Sequence, residues 1–386
     1  MRTVKTIYLD HNATTPVHPE VVQAMTPWLA ERFGNASSLT HAPGREARDA
    51  VEEARETVAR FLGAESDEIV FTTGATESDN TALKGAAWAA PPGRNRILAS
   101  AIEHRAVLET ARWLDPRGFP LEVIPVDRFG LVDPAAIERS LDDRTLIVST
   151  MHANSEVGTI EPVEEIGALC RKRGILFHTD ATQTVGKIPV DVRSIGCDLL
   201  SLSAHKFYGP KGVGALYIRR RTPLEPLLHG GGQERGRRSG TLNVPGIVGL
   251  AAACRVTARD REAEQARLLS LRRRLFDGIT GAVEGAHLNG HPERRLPHNL
   301  HFSFEAVDGE ALILAMRRVA LSSGSACSSA REGPSYVLRA MGVPDELAHA
   351  SVRFGLGRSN DAAQVDEVIG LLAASVSRLR DLAPRG

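Results

Sequence analysis

The sequence predicts an α/β fold in which a large, mainly parallel seven-stranded sheet covered by helices is followed by a smaller α+β part. Three observations carry this. Seven short apolar runs alternate with helical or loop segments through roughly the first 260 of 386 residues, and strands spaced by helices pair in parallel because each crossover returns the chain to the same end of the sheet. A chain of this length also exceeds what one ordinary core encloses, so a second unit is expected. Finally, the texture changes after the glycine- and arginine-rich stretch HGGGQERGRRSGTLNVPG (229–246). A long charged helix, ARDREAEQARLLSLRRRLFDGI, then leads into a shorter mixture of strands and helices ending in QVDEVIGLLAASVSRLRDL. The boundary is placed near residue 260, giving a large unit over 16–260 and a small one from 1–15 with 261–386. No internal repeat or low-complexity linker is present.

Taken in order, GREARDAVEEARETVARFLG (44–63) is the first long helix: Val51, Ala54, Val58 and Phe61 or Leu62 fall on one face, and Gly63 supplies a C-terminal cap. The seven runs follow as EIVFTTG, RILAS, LEVIPVD, TLIVSTMHAN, ILFHTDAT, DLLSLSAHK and VGALYI. Between them VEEIGALCRKRG (163–174) has a helical pattern.

Composition excludes several functions. With 47 basic and 47 acidic residues the formal net charge is zero, so no global field draws the chain to nucleic acid or an anionic membrane. The start, MRTVKTIYLDHNATT, lacks the apolar core of a signal peptide, and GIVGLAAAC (246–254) is too short to span a bilayer. A cytoplasmic protein is expected. Four cysteines, Cys170, Cys197, Cys254 and Cys327, lie far apart without CxxC spacing, so neither a zinc site nor a disulfide framework is predicted. The first three sit in helix-like or strand-flanking apolar surroundings and read as buried, inert thiols.

In open parallel sheets ligands bind beyond the carboxyl ends of the strands. The polar residues at those ends are Gly74-Ala75-Thr76, Glu103-His104, Asn154-Ser155, Asp180 with Gln183, and Ser203-His205-Lys206. FTTGATESDNTALKG (71–85) is a strand, a glycine turn and a helix start, an arrangement that suits a phosphate through free N–H groups and the helix dipole; an ordinary cap by Thr73 or Thr76 is the plainer alternative. Ser203 and His205 add donors. Asp180 would normally be a helix cap or ion-pair partner, but a pyridine cofactor requires a carboxylate at its ring nitrogen. Lys206 would then bind the cofactor aldehyde, its amine made nucleophilic by desolvation and neighbouring cations. His104 would stack on the ring or move protons.

In order and spacing these positions resemble the fold-type I pyridoxal-phosphate enzymes and, within them, the class V aminotransferase-like cysteine desulfurases of the NifS/IscS-like group. The resemblance runs through YLDHNATTPV, FTTGATESDN, EHRAVL, HTDATQTVGKIPVDV, SLSAHKFYGPKGVGALYIRR, GGGQERGRRSGTLNVPGIVG, SSGSACSS and ELAHASVRFGLGRSN, nearly the whole chain. It implies the PLP-dependent transferase fold (type I), with pyridoxal 5'-phosphate carried on Lys206. Asp180 would pair with the ring nitrogen and Gln183 contact the phenolic oxygen, while Ala75, Thr76, Ser203 and His205 hold the phosphate. Thr241 would reach the phosphate of the neighbouring subunit's cofactor, making a homodimer part of the site. Arg353 would clamp the substrate carboxylate, a task suited to a guanidinium fork.

Cys327 gains its role from the same resemblance. LSSGSACSSAREGPSYVLRAMG (321–342) passes from an apolar strand into serine, glycine and alanine with little to anchor it, so an exposed, mobile thiol is expected there. The implied reaction turns L-cysteine into L-alanine and leaves the sulfane sulfur on Cys327 as a persulfide. The acceptor would be an iron–sulfur scaffold protein or a thiolation pathway, and the stretch resembles group I of the desulfurases. Spacing implies no metal site, although Cys327 could donate to a cluster in a complex.

One departure matters. Relatives read NNE where this chain has Asn154-Ser155-Glu156, so the family's cofactor-contacting asparagine aligns with Ser155. That contact is kept by the shorter serine, lost, made through water, or taken over by Asn154 near the substrate. The chain also stops soon after RLRDLAPRG, without the scaffold-docking tail of some relatives. The rival readings are a class V aminotransferase, a selenocysteine lyase and a non-catalytic docking subunit. Cys327 speaks against the first, and Lys206, Asp180 and His104 together against the last.

Overall fold

The computed structural model describes residues 6–323 and 333–382. Strand β1 (Ile7–Tyr8) comes first, away from the large sheet. The seven strands of that sheet are β2 (Ile69–Thr72), β3 (Arg96–Ser100), β4 (Leu121–Ile124), β5 (Thr145–Ser149), β6 (Leu176–Asp180), β7 (Leu199–Ser203) and β8 (Gly214–Ile218). Each falls within one of the seven apolar runs, and their order across the sheet is β2-β8-β7-β6-β5-β3-β4. The strands from β3 to β7 pair in parallel, whereas β8 runs antiparallel to both β7 and β2. Chain length explains the reversal: the link from Ser203 to Gly214 is too short for the crossover a parallel pair needs. Strands β5, β7 and β8 are buried along their whole length, as expected for a sheet covered on both faces.

Helix Ala42–Leu62 buries Ala47, Val51, Ala54, Val58 and Leu62 and ends on Gly63 at φ 72°, whose N–H bonds the carbonyls of Ala59 and Arg60. The predicted face and cap are both present. Further on, the apolar run at 246–254 and the charged segment after it prove to be one helix, Val244–Ala282, of 39 residues. Its first turns pack Val244, Ile247, Leu250 and Cys254 into the core beneath the large sheet. Its last turns pack Leu268, Leu271, Leu275 and Ile279 into a second core with Phe302, Phe354 and Leu372. Residue 260 therefore lies inside a continuous helix, at the change from one core to the other.

The second core is roofed by an antiparallel sheet of β9 (Ala286–Leu288), β10 (Asn299–Phe304) and β12 (Ser351–Gly355), ordered β12-β10-β9. Strand β1 pairs in parallel with β11 (Val319–Ala320), which ties the N-terminal segment to this half. Helix Ala362–Leu382 packs along the long helix, where a side chain at Gly278 would collide with Ile369. Cys170, Cys197 and Cys254 are buried free thiols. Burial pushes the Cys170 thiol up to about 12 and the other two higher still, so all three are inert.

Candidate active site

The carboxyl ends of the central strands open into one cleft of about 460 Å³. It gathers Ala75, Thr76, His104, Ser155, Asp180, Gln183, Ser203, His205, Lys206 and Arg353 from six separate stretches of chain. Apart from Arg353, which β12 of the small sheet brings in, their meeting follows from strands of the large sheet ending on the same side.

Lys206 stands at the end of a single helical turn, Ala204–Lys206, directly after β7. Its Nζ donates to the backbone carbonyls of Asn12 and Ala13, both at 2.7 Å. The N-terminal segment grips this turn elsewhere too: Thr15 N and Oγ1 bond the His205 carbonyl, Tyr208 N donates to Thr15 Oγ1, and His18 N donates to the Tyr208 carbonyl. Two ends of the cleft nearly two hundred residues apart in sequence are thereby fixed together.

Asp180 closes β6 with one oxygen, Oδ1, accepting the Thr182 N–H at 2.9 Å, which leaves Oδ2 for a ligand. Gln183 Nε2 donates to the Asn12 carbonyl at 3.0 Å, and a primary amide retains a second N–H for an acceptor in the cleft. His104 caps helix Arg105–Leu114 by accepting the Ala106 N–H on Nδ1 at 3.1 Å. In the neutral ring the proton must then sit on Nε2.

An anion is well provided for at the opposite wall. Helix Ala75–Trp88 starts after Gly74 at φ 148° without any side-chain cap, so the N–H groups of its first turn remain for a phosphate. Thr73 is instead tied to Glu77, through its N–H at 2.9 Å and its Oγ1 at 2.6 Å. His205 stands beside them with Nδ1 3.1 Å from Thr14 Oγ1. Burial, then the charges of Lys206 and Lys211, lower it to about 4, making it a neutral donor at physiological pH.

The far wall is Arg353 on β12. Its Nη1 donates to the Ser155 carbonyl, and its Nη2 to Asp10 Oδ1 and Ser322 Oγ, each at 2.9 Å. Its Nε is buried, with no partner among the described residues.

Three predicted positions stand apart. Asn154 is fully buried and does not reach the cleft: its Oδ1 accepts the N–H groups of Glu156 and Val157, and its Nδ2 donates to the Ile102 carbonyl. It shapes the turn and cannot take over the contact of the family's asparagine or touch substrate. Thr241 is exposed and outside the cleft. Cys327 lies outside the described residues.

Several site residues escaped the sequence reading. Asn12 and Ala13 act through backbone carbonyls, which no side-chain pattern reveals. Tyr336 lines the cleft, donates its hydroxyl to the Glu103 carbonyl at 2.6 Å and lies under the Arg105 guanidinium at 5.3 Å. Lys211, in GPKG beyond Lys206, also lines the cleft and could have been found from its nearness to that lysine.

The donor set fits pyridoxal 5'-phosphate: an uncapped helix start for the phosphate, a carboxylate with one oxygen to spare, and a lysine whose amine is held within the same cleft.

The sequence matches the family described as Aminotransferase class-V over residues 7–368. The cysteine desulfurase IscS of Anaeromyxobacter dehalogenans (strain 2CP-C) is 50% identical over 380 residues, covering 98% of this chain and 94% of that protein. A solved structure described as a NifS-like protein superposes with a TM-score of 0.91 at 40% identity, covering 97% of this chain and 100% of its own. Another, SspA in complex with cysteine, gives 0.82 at 37%, covering 91% and 99%.

Proposed function

The chain belongs to the class V aminotransferase family, and from that premise we propose that it is a cysteine desulfurase using pyridoxal 5'-phosphate to convert L-cysteine to L-alanine, with the sulfane sulfur transferred to Cys327. The observation that carries this is the convergence of Lys206, Asp180, the uncapped helix at Ala75 and Arg353 on one cleft. Ala75, Thr76, Ser203 and His205 would hold the phosphate, Asp180 the ring nitrogen and Gln183 the phenolic oxygen, while Lys206 would hold the aldehyde. When bound, the cofactor supplies an electron sink for the substrate α-carbon.

The protein's own groups do the rest. Arg353, which lines the cleft, binds the substrate carboxylate through its guanidinium. Lys206 Nζ, held in the cleft, would take the substrate α-proton. His104 presents its proton at Nε2, and its helix-capping bond keeps it there. Cys327, as thiolate, attacks the substrate sulfur: an S–S bond forms, the C–S bond breaks, and its electron pair stays with the substrate carbon, which is protonated to alanine.

A homodimer is part of the proposal, supported by the exposed position of Thr241, which would reach the partner's phosphate. So is the division into a cofactor-binding unit, 16–260, and a small unit, 1–15 with 261–386, supported by the two cores that share the long helix. The persulfide passes to an iron–sulfur scaffold protein or another thiolation acceptor. A cytoplasmic location fits the described helices, none of which is long and apolar enough to cross a membrane.

The test measures sulfide (with a reductant) and alanine formed from L-cysteine by wild type and Cys327→Ala. Both products from wild type and neither from a variant that keeps its bound cofactor support the assignment; equal activity removes Cys327 as the sulfur carrier.

A further inference from the structure

Beneath Asp180 lies a second carboxyl group for which the proposed mechanism has no use. Asp79 sits one turn into helix Ala75–Trp88, fully enclosed, with the Ser201 hydroxyl on β7 as a hydrogen-bonding neighbour. An oxygen of Asp79, an oxygen of Asp180 and a ring nitrogen of His104 all lie within 4.8 Å of one another.

Among the described residues, the neighbouring strands bring no charged cation to Asp79. His178 on β6 places Nε2 at 3.5 Å from Asp79 Oδ1, but its Nδ1 is bound to Ser149 Oγ at 2.8 Å and its Nε2 to Ser201 Oγ at 3.0 Å. Burial lowers His178 to about 4, so it is neutral. The next acid outward, Glu103, accepts from Ser100 Oγ and Met151 N, and burial pushes it up to about 7. Burial this near a second acid favours the protonated form of Asp79. Position separates the two: Asp180 opens on the cleft and receives the Thr182 backbone N–H, whereas Asp79 is wholly enclosed.

We propose that Asp79 is a positioning residue, a neutral carboxylic acid locked beneath Asp180 so that Asp180 carries the negative charge and presents it to the ring nitrogen of the cofactor. Burial and the adjacent Asp180 charge both push the Asp79 carboxyl well above the usual range, in line with that geometry. A neutral Asp79 leaves the negative charge on the carboxylate that faces the cleft. The inference rests on reading the cleft as a pyridoxal-phosphate site.

Infrared difference spectra between wild type and Asp79→Asn, with and without pyridoxal phosphate, test the protonation. The carbonyl stretch of a protonated carboxylic acid should be present in wild type near neutral pH and missing from the variant; its absence from wild type overturns the proposal. Pyridoxal-phosphate affinity, read by visible absorbance, tests the positioning. Asparagine keeps the shape and a donor, so Asp79→Asn should stay near the wild-type affinity, whereas Asp79→Ala should bind about tenfold more weakly, as loss of one buried polar partner implies. If asparagine harms binding as much as alanine, the neutral-donor role is wrong. If wild type takes up no cofactor at all, the site reading falls and the positioning role with it, a result distinguishable because the infrared band of the apo protein would remain. Thermal unfolding of both variants separates these effects from misfolding.

Discussion

Arg353 and Asp10 form a short ion pair, Nη2 to Oδ1 at 2.9 Å, across the meeting of β12 with the N-terminal segment. Ser322 joins them through hydrogen bonds to both side chains, so three distant stretches of sequence hold one guanidinium. Arg353→Lys keeps the charge but loses the fork. The expected outcome is a KM for L-cysteine raised about tenfold or more, with kcat moving less, as for lost ground-state binding. Asp10→Asn should raise KM by a smaller factor. Steady-state alanine formation checks both.

Lys206 is held by two carbonyls at 2.7 Å in a pocket shared with Asp180 and His104. Lys206→Ala should lower alanine formation by at least about a hundredfold, the scale of losing a proton-transfer group. The visible absorption of lysine-bound cofactor should vanish with it. Retention of that absorption would show that another amine carries the aldehyde.

Gly74 and Gly214 touch where β8 passes the phosphate wall. A Cβ on Gly214 would fall 2.8 Å from Gly74 Cα and 2.4 Å from the Leu202 carbonyl oxygen, and neither backbone can yield without disturbing the cradle. Gly214→Ala should cost about 1–3 kcal/mol, the range for overpacking, and weaken cofactor binding in parallel. Urea unfolding and absorbance titration measure the two effects.

Glu161 is buried, with Oε2 accepting the Val132 N–H and Oε1 unsatisfied. Burial raises it from 4.5 to about 8. The folded state thus binds a proton that the unfolded state releases, and stability falls as pH rises between those values. Glu161→Gln removes this dependence. Chemical denaturation at a series of pH values should find wild type losing stability relative to the variant from pH 5 to pH 8, by a few kcal/mol; a constant difference would contradict a neutral Glu161.

Much of the site could be read in advance because its side chains sit where apolar runs stop. Asp180, Ser203, His205 and Lys206 follow strands whose lengths are plain in the sequence, and parallel pairing sends those ends to one side. Arg353 is different, since only the family resemblance singled it out from a short strand of the small sheet. Asn154 misled for a related reason. It also ends an apolar run, yet its amide turns inward to close a turn, and the linear pattern of a strand end does not distinguish the two directions.

What the sequence determined by itself is the alternation of strand and helix, the seven strands, the cap at Gly63 and the chemical types gathered at the strand ends, because these depend on local periodicity and turn chemistry. Tertiary structure alone decided the antiparallel direction of β8, the unbroken helix Val244–Ala282, the carbonyls that hold Lys206 and the enclosure of Asp79. On its helix Asp79 reads as one polar residue among several in ATESDN, and only the packing of that helix on the sheet removes it from water. Burial, charge state and partner choice arise from contacts between segments far apart in the chain, and no local pattern encodes them.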